Sequence, residues 1–448
     1  MKKNLKNNKG ITLVALIVTI VVLLILAGIT IAAVLADGGI FKTAQNSQKV
    51  QDTAKLEEKV KLMLTDAQIE NKVNNKTLNE YFTEKGLNPK QDATTGTISI
   101  ITEEHKVTIN EENLEIVKIE ESLIIEPNTN WYENPGENGV YTISTAEELA
   151  GLASLVNDGT DTFNGKTIVL GNNIDLQNKD WTPIGNSTNK FQGDFDGQNH
   201  TISNLKVMQE GNSYVGLFGL TMNGEIKNLT VHNAIVKGRY NVGAIAGQPY
   251  TSKYTNITLT GLVQVDGMVY VGGMFGKWVY APLTNLTVNV QPGSYVNANS
   301  VENGIPYRTY AGGVIGFMGE GSMVVSDVTS NINVIGTTID VGGITGIAHF
   351  GNSFINCSSS GNVTITNAPD ESDAAEIGGI AGVWQNNTGY TVTFTNCSYT
   401  GTLTATLEDG SSFTNFHNNG LVGKPFSTSG TGKLIIDGVE IDYSSEET

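Results

Sequence analysis

The chain has 448 residues, and its 45 aspartates and glutamates against 27 lysines and arginines give a formal net charge of −18. With only two arginines, Arg239 and Arg308, it lacks the clustered basic side chains that nucleic-acid-binding proteins need. Two cysteines exclude a disulfide-rich scaffold, and five histidines without an HExxH pair exclude a zincin protease. The 51 glycines and the low content of charged residues favour short strands and tight turns.

A basic leader precedes a long apolar segment at the N-terminus. Residues 1–10 carry four lysines and no acidic residue, and residues 11–36 carry no charge. A helix of those 26 residues would be ~39 Å long, more than the ~30 Å hydrocarbon core of a bilayer. The sequence predicts one transmembrane helix, with the N-terminus in the cytoplasm and the rest outside. A cleaved secretory signal ending in the alanines near residue 36 is the alternative.

The residues KGITL at 9–13 make residues 1–70 resemble the type IV prepilin family. The resemblance implies cleavage between Gly10 and Ile11 by prepilin peptidase, and a helix that first anchors the protein in membrane lipid. It also implies other pilin-like subunits as partners in a filament. The family usually has Phe at the first mature position and Glu at the fifth, where this chain has Ile11 and Ala15.

The missing glutamate favours one position in such a filament. That carboxylate neutralises the terminal amine of a neighbouring subunit in an apolar core, where an unpaired charge is costly. The subunit at the tip has no neighbour above it, so Ala15 fits a tip or minor subunit better than a repeated one. A plain membrane anchor that never enters a filament is the alternative.

Three segments follow the apolar run. Residues 37–74 carry apolar side chains at helical spacing and are expected to continue the helix. Residues 75–125 are interpreted as a small α+β unit with one short helix and two or three strands. Residues 126–138 are rich in Asn and Pro and are interpreted as a linker.

A glycine-framed apolar element, such as VGGMFG at 271–276, recurs along the rest of the chain. Its closing glycines are Gly219, Gly247, Gly276, Gly316, Gly346, Gly382 and Gly423. Their spacings of 28, 29, 40, 30, 36 and 41 residues indicate a base period near 29 with insertions. We expect these glycines to adopt positive φ and to form corners too sharp for side chains.

A second motif lies between these elements and consists of an Asn, an apolar residue and a strand of alternating polarity. It begins at Asn204, Asn228, Asn256, Asn285, Asn356 and Asn396, with Asp327 as a variant. One such unit cannot bury its own apolar face, but stacked units with parallel strands can. We expect the asparagines to form a ladder of amide hydrogen bonds along the stack.

The predicted fold is mainly β. It consists of a right-handed parallel β-solenoid (β-helix) over residues 139–428, preceded by the transmembrane or pilin-like helix and the small α+β unit. About nine coils would make a stack ~45 Å long, and residues 429–448 would form a last strand and a tail. A β-propeller is the rival, and it predicts more even repeats of ~40–50 residues.

The repeated elements resemble the GLUG motif repeats of bacterial surface proteins over residues 139–428. Within the similar N-terminal part of this region, Ser144 and Glu147 are expected to form a capping box. The helix that follows would end at Gly159 and cover the open edge of the first coil. The resemblance implies an architecture rather than an activity, since such repeats accompany many activities.

Three features could carry chemistry, and each has a simpler interpretation. Cys357 and Cys397 occupy equivalent repeat positions. They are interpreted as two buried apolar side chains, and a disulfide between neighbouring coils is the alternative. Asp194 and Asp196 could be the acid pair of a polysaccharide-degrading solenoid, but adjacent glycines favour turn residues. The acidic run at 369–376 is expected to be a solvated loop rather than a calcium site.

The insertion at 293–310 is the candidate binding site. It contains Tyr307, Arg308 and Tyr310, and aromatic rings beside a guanidinium suit sugar rings or a protein partner. The alternative is that these aromatic residues shield the corners of the solenoid. Because the insertion is expected to lie outside the repeating core, replacing all three residues should leave folding intact.

The sequence therefore predicts a single-pass protein of the bacterial cell membrane with an extracellular C-terminal domain, in a surface filament or alone. Its predicted role is a minor or tip pilin-like subunit that displays an adhesive β-solenoid, with a glycan or a host surface protein as candidate ligand. The alternatives are a structural surface protein without filament assembly and a solenoid enzyme acting on polysaccharide. No catalytic residue, cofactor or metal site is predicted, nor is nucleic-acid binding.

Overall fold

A computed structural model describes most of the chain after the apolar segment. The described residues are 39–85, 87, 89–102, 105–121, 124–136, 139–278, 280–281, 283–299, 301–302, 305–306, 308–319, 321–337, 340–349, 351–385, 387–425 and 431–441. Contacts within the chain divide it into two units, Met1–Ser122 and Leu123–Thr448.

The N-terminal predictions fall largely outside the described residues. The leader with Gly10, the first mature position Ile11 and the apolar segment 11–36 all lie outside them, as does Tyr307. Among the described residues, no helix combines the length and the apolar character that crossing a membrane requires.

The first unit contains two helices and an antiparallel sheet. Helix α1 (Gly39–Asn74) is followed by α2 (Leu78–Glu84) and by strands β1 (Lys90–Asp92), β2 (Thr97–Thr102), β3 (His105–Asn110) and β4 (Ile116–Glu121). The sheet order is β1-β2-β3-β4 with antiparallel neighbours. Val60 and Leu64 of α1 are buried against Phe82 of α2 and against Ile98 and Ile109 of the sheet. Their spacing therefore marks the face of α1 that packs on this core.

The second unit begins with residues that the sequence analysis interpreted as a linker. Asn130–Glu133 form a 3-10 helix, and Trp131 stacks on Phe163 at 5.9 Å and lies edge-on to Tyr141 at 5.6 Å. The indole N–H of Trp131 donates to the carbonyl of Asn128 at 2.9 Å. The segment is thus packed on the core of the second unit, which its Asn and Pro content did not reveal.

Helix α3 (Ala146–Asn157) follows β5 (Val140–Ile143), and it buries an apolar face that includes Leu149, Leu152 and Val156. The N-cap is Thr145, one residue later than the Ser144 expected from sequence. The Thr145 side chain accepts from the backbone N–H of Glu148, whose carboxylate accepts from the backbone N–H of Ser144 at 2.7 Å. The predicted capping box was therefore wrong by one residue, because β5 extends to Ile143.

The remaining strands are short and follow one another without further long helices in the described chain. In order they are β6 (Thr167–Leu170), β7 (Ile174–Asp175), β8 (Asp194–Asp196), β9 (Thr201–Met208), β10 (Ser213–Val215), β11 (Phe218–Thr221), β12 (Glu225–Lys237), β13 (Tyr240–Gly243), β14 (Ala246–Pro249), β15 (Lys253–Gly267), β16 (Tyr270–Gly272), β17 (Phe275–Trp278), β18 (Leu283–Val290), β19 (Tyr295–Ala298), β20 (Val301–Glu302), β21 (Ile305–Pro306), β22 (Tyr310–Gly312), β23 (Ile315–Met318), β24 (Val324–Ser330), β25 (Asn333–Gly336), β26 (Val341–Gly342), β27 (Thr345–Ala348), β28 (Ser353–Ile355), β29 (Ser358–Ser359), β30 (Val363–Ala368), β31 (Ile377–Gly378), β32 (Ala381–Trp384), β33 (Thr391–Thr395), β34 (Ser398–Tyr399), β35 (Leu403–Leu407), β36 (Ser412–Phe413), β37 (Lys433–Ile436) and β38 (Val439–Ile441). A four-residue helix α4 (Glu371–Ala374) precedes β31.

Each repeat contributes strands to the same parallel sheets. Two six-stranded sheets have the orders β10-β13-β16-β22-β26-β31 and β11-β14-β17-β23-β27-β32. A third, larger sheet contains the long strands, in which β9, β12, β15, β18 and β24 pair in parallel. The prediction of a mainly β protein with stacked parallel strands is confirmed. Antiparallel hairpins β35-β36 and β37-β38 lie at the C-terminal end of the repeats.

The closing glycines of the repeats are sites of close backbone approach. A Cβ on Gly276 would lie 2.3 Å from the backbone of Asn241 and Val242, and one on Gly316 would lie 2.4 Å from the backbone N of Val271. The six from Gly219 to Gly382 are absent from the positive-φ glycines of the described chain. The expectation of positive φ was therefore wrong, and the need for glycine comes from space alone.

Asparagine provides the positive φ at another corner. Asn204, Asn228, Asn256, Asn285, Asp327, Asn356 and Asn396 all have φ between 53° and 58°. The predicted amide ladder is confirmed from Asn228 onward: the amide of Asn256 donates to Oδ1 of Asn228 at 2.9 Å, and that of Asn285 donates to Asn256 at 3.2 Å. The inclusion of Asn204 was wrong, because Asn204 accepts from the amide of Asn233 at 3.0 Å in a separate ladder. Asn is suited to this position because its short polar side chain tolerates the left-handed region.

Candidate functional site

Arg308, one of the predicted binding residues, forms a buried ion network. Its guanidinium donates to both carboxylate oxygens of Asp340, at 2.6 Å and 3.0 Å, and to Glu376 at 3.0 Å. Lys424 lies 3.1 Å from the other oxygen of Glu376. Asp340 is fully buried and Glu376 nearly so. We call these four residues the ion cluster.

The cluster balances two cations against two carboxylates. Burial raises the pKa of Asp340, and the charge of Glu376 raises it further, while Arg308 opposes both. For Arg308, burial disfavours the charged form, but the carboxylates of Asp340 and Glu376 outweigh it and the guanidinium pKa is raised. The cluster is therefore an internal set of ion pairs whose members depend on one another.

Tyr310, the second predicted binding residue, lies in a stack of rings. It stacks on Tyr270 at 5.4 Å with an interplanar angle of 23°, and Phe317 meets it edge-on at 4.8 Å. The Arg308 guanidinium lies 5.9 Å from the Tyr310 ring, and the Lys277 ammonium lies 5.3 Å from the rings of Tyr270 and Phe317. The ring faces are covered by one another and by cations, which favours packing over sugar stacking.

The expectation that this insertion lies outside the repeating core was wrong at its C-terminal end. Tyr310 is the first residue of β22 and pairs in register with Tyr270 of β16. Arg308 neutralises two carboxylates that belong to later repeats. A role of Arg308 and Tyr310 in ligand binding stays a prediction, but replacing them should not leave folding intact.

Asp194 and Asp196 hold the backbone rather than face each other as a catalytic pair. They lie on strand β8, not in a turn, and Oδ1 of Asp194 accepts the backbone N–H of Glu225 at 2.8 Å. Oδ1 of Asp196 accepts from the backbone N–H of Gln198 at 2.9 Å and from the amide of Asn228 at 3.0 Å. Both carboxylates therefore have structural partners at the start of the asparagine ladder.

The acidic run at 369–376 is only partly the solvated loop that was expected. Asp370 caps the short helix α4, and Glu376 at the end of the run is buried in the ion cluster. No group of three or more His, Cys, Asp or Glu side chains within the described ranges has the arrangement of a metal site.

The two cysteines are stacked in neighbouring repeats. Their following residues, Ser358 and Ser398, pair in parallel register. Cys357 is buried and Cys397 half-buried, and both are free thiols. A hydrogen bond with Cys397 and burial raise the pKa of the Cys357 thiol, so this thiol stays protonated. The structure thus shows two small packed side chains.

A groove lined by hydroxyl and amide groups crosses the outer face of the large sheet. Its volume is 410 Å³. Thr287, Thr329, Ser358 and Ser398 follow one another in register across four parallel strands. A second column lies two residues further along the chain, at Asn289 in β18 and just past the ends of β24, β29 and β34. We call these two columns the hydroxyl groove: Thr287, Asn289, Thr329, Asn331, Ser358, Ser360, Ser398 and Thr400.

The hydroxyl groups of this groove are not engaged within the protein. Among the described residues, the side-chain hydroxyls of Thr287, Thr329, Ser358, Ser360, Ser398 and Thr400 have no hydrogen-bond partner. Elsewhere on the large sheet, Ser326 of β24 donates to Thr284 of β18 at 3.4 Å, and Thr393 of β33 donates to Ser353 of β28 at 2.8 Å. The groove therefore presents donors and acceptors that the described chain leaves unused.

Sequence analysis missed this groove although its signal was present. A Thr or Ser stands two residues after each ladder position from Asn228 to Asn396, as in Asn285 and Thr287 or Asn356 and Ser358. The alternating pattern was interpreted only through its buried apolar residues, and the polar residues between them were assigned no role. Insertions of unequal length also hid the fact that these positions share one register.

Comparison with known proteins finds similarity over parts of the chain. No family model matches it. Halomucin of Haloquadratum walsbyi is 45% identical over 100 residues, which make up 21% of this chain and 1% of halomucin. A protein of Evansella cellulosilytica named "Putative Gly-rich membrane protein" is 29% identical over 122 residues, 26% of this chain and 14% of that protein. The matched region is thus a small part of both curated relatives.

One solved structure is similar to the chain at a low level. The crystal structure of a "putative immunoglobulin A1 protease" from Bacteroides ovatus has a TM-score of 0.41 and 20% sequence identity, covering 70% of this chain and 82% of that one.

Proposed function

We propose that this chain is a bacterial cell-surface protein that binds an extracellular partner through its repeat unit. The observation that carries the proposal is the in-register stacking of parallel strands, which presents the same polar side chains again and again on an outer face. Residues 11–36 supply the membrane anchor, and the basic leader places the rest of the chain outside. One relative is named a membrane protein, which agrees with this location.

We further propose that the stacked sheets close into a right-handed parallel β-solenoid of the GLUG type. Successive repeats add a strand to each of three parallel sheets, which supports one coil per repeat. Parallel crossovers are right-handed in nearly all proteins, which supports the handedness. The close approach at Gly276 and Gly316 supports a narrow, closed cross-section.

The prepilin-like N-terminus adds a finer proposal. Cleavage after Gly10 by a prepilin peptidase would leave Ile11 as the first residue, and the apolar helix would then join other pilin-like subunits. Ala15 at the fifth position favours a tip or minor subunit. A structural surface protein held singly in the membrane is the second candidate, and the departures at Ile11 and Ala15 favour it.

A polysaccharide-degrading enzyme is the candidate with the weakest support. The Asp194 and Asp196 carboxylates already accept hydrogen bonds from the chain. We therefore propose a binding role without catalysis. A depolymerisation assay on polysaccharides checks this directly, since a release of reducing ends would contradict it.

Labelling of intact cells tests the surface location. Asn212 lies exposed in a turn between β9 and β10, so Asn212→Cys should react with a membrane-impermeant maleimide without lysis. The wild-type chain, whose Cys357 is buried and Cys397 half-buried, gives the background. Labelling of Asn212→Cys only after lysis would contradict the proposal.

A further inference from the structure

We propose that the hydroxyl groove binds a neutral polysaccharide chain that lies along the stacking direction of the strands. The inference deepens the proposed surface function by naming the class of ligand. It concerns a different place from the insertion at 293–310, because the groove lies on strands β18, β24, β29 and β34 and the residues that follow them.

The chemistry of the lining selects a neutral ligand. No Asp, Glu, Lys or Arg lines the groove. A Ser or Thr hydroxyl both donates and accepts, so the hydroxyls of the groove complement a ligand rich in hydroxyl groups. A polyanion would find no cation there and would meet a chain with a net charge of −18. A polycation would find no carboxylate in the lining.

The spacing of the lining selects a polymer. Four strands ~4.8 Å apart give the groove a length of ~14 Å from its first strand to its last. A single sugar would reach one or two strands, whereas a chain of sugars would meet the same pair of columns repeatedly. Contacts made by linked units add up without a new loss of translational freedom for each one. Affinity should therefore increase with chain length.

The free hydroxyls supply the contacts. Thr329, Ser398 and Thr400 are exposed, and Ser358 between them is half-buried. Sugar hydroxyls can form hydrogen bonds with these groups that are equivalent to those of bulk water. The groove has no aromatic lining residue, so binding should depend on hydrogen bonds rather than on ring stacking.

The test uses the full chain of residues 1–448 in a detergent without a sugar headgroup. Titration calorimetry measures binding of cellohexaose, maltohexaose and mannohexaose, with cellobiose, maltose and mannobiose as short probes and hexagalacturonate as the anionic probe. We expect at least one neutral hexaose to bind, at least tenfold more tightly than its disaccharide, and hexagalacturonate to bind more weakly.

The matched variants remove hydroxyl groups on two different faces. The triple variant Thr329→Val, Ser358→Ala and Ser398→Ala removes three from the groove and should weaken hexaose binding at least tenfold. The control variant Thr364→Val with Thr404→Val removes outward hydroxyls from β30 and β35, away from the groove, and should bind like the wild type. Both should keep the wild-type melting temperature within a few degrees.

Three results would overturn the inference: no neutral hexaose binding at millimolar concentration, equal binding by the triple variant and the wild type, or preference for hexagalacturonate. If the triple variant does not fold, Ser398→Gln, which fills the exposed end of the groove, takes its place and must weaken binding. Surface labelling of Asn212→Cys is independent of these titrations, so failure of the groove and failure of the surface location are distinguishable.

Discussion

At the scale of single residues, the closing glycines show why the repeat tolerates no side chain at one point. The strands of the two six-stranded sheets come so close that backbone atoms fill the space where a Cβ would stand. For Gly276 the nearest backbone atoms, those of Asn241 and Val242, lie 2.3 Å from an ideal Cβ. Both residues belong to the preceding repeat, so a Cβ at Gly276 could be accommodated only if neighbouring repeats moved apart.

Gly276→Ala should therefore destabilise the second unit by about 3 kcal/mol or more, since backbone must shift to admit one methyl group. Gly211→Ala is the matched control, because an ideal Cβ there meets nothing within 4 Å. It should change stability by about 0.5 kcal/mol or less. Chemical denaturation monitored by circular dichroism measures both, and equal losses would contradict the close-approach account.

The charge of Arg308 stabilises the folded state. Arg308→Leu leaves the buried carboxylate of Asp340 without its cation and should cost about 3 to 5 kcal/mol. Lys253→Leu removes an exposed lysine whose partner Glu225 keeps a second lysine, Lys227, and should cost about 1 kcal/mol or less. A small loss for Arg308→Leu would show that Arg308 is available for a ligand instead.

His349 gives the unit a dependence on pH. Burial, with a smaller effect of the Lys277 charge, lowers the pKa of His349 from 6.5 to about 4. Between those values the unfolded chain binds the proton and the folded chain does not. The stability from neutral His349 is therefore complete above about pH 6.5 and is lost as the pH falls toward 4.

The size of this effect follows from the shift, which corresponds to about 3 kcal/mol at most. Compared with His349→Gln, the wild type should lose up to that much additional stability between pH 7 and pH 4. At pH 8 and above the two stability curves should run parallel. The measurement is the denaturation midpoint of both proteins across this range, and identical slopes below pH 6 would contradict the assignment.

At the scale of elements, the asparagine ladder joins successive repeats, and Asp327 interrupts it. Asp327 accepts a hydrogen bond from the amide of Asn356 at 3.0 Å, but an ionised carboxylate has no N–H to donate to Asn285 in the preceding repeat. The two residues are nonetheless in register, since the residues after them, Leu286 and Val328, are paired.

Asp327→Asn should complete the ladder and stabilise the second unit by about 1 kcal/mol. The reciprocal variant Asn256→Asp removes the donor to Asn228 and should lose about as much. Both keep a residue that tolerates the positive φ at the corner. Thermal melts measure the pair, and a loss of stability in Asp327→Asn would show that the carboxylate has another role.

Periodic features of these elements were predictable from the sequence, and contacts between distant repeats were not. The ladder and the buried residues after each asparagine follow from the repeat alone. The meeting of Arg308 with Asp340 and Glu376 depends on which residues reach the same column after insertions of different lengths. The N-cap at Thr145 instead of Ser144 depended on where β5 ends, because both side chains can cap a helix.

At the scale of the whole molecule, the proposed function joins an N-terminal membrane anchor to a repeat unit whose uncharged groove would face the outside of the cell. Stacking supplies the groove, since each repeat adds a hydroxyl-bearing residue at the same register. In the proposed function, residues 11–36 would anchor the chain, and cleavage after Gly10 would remove the leader. The central claim is therefore that the repeat unit lies outside the cell and that the leader is cleaved.

Mass spectrometry of the N-terminal peptide from the membrane fraction and from the sheared-surface fraction tests this claim most directly. The account predicts peptides of the repeat unit in the sheared fraction and a mature chain that begins at Ile11. A Gly10→Val variant should stay at precursor size, because a prepilin-type peptidase requires the small residue before the cut. Retention of Met1–Gly10 in every wild-type fraction, with no repeat peptides released by shearing, would contradict it.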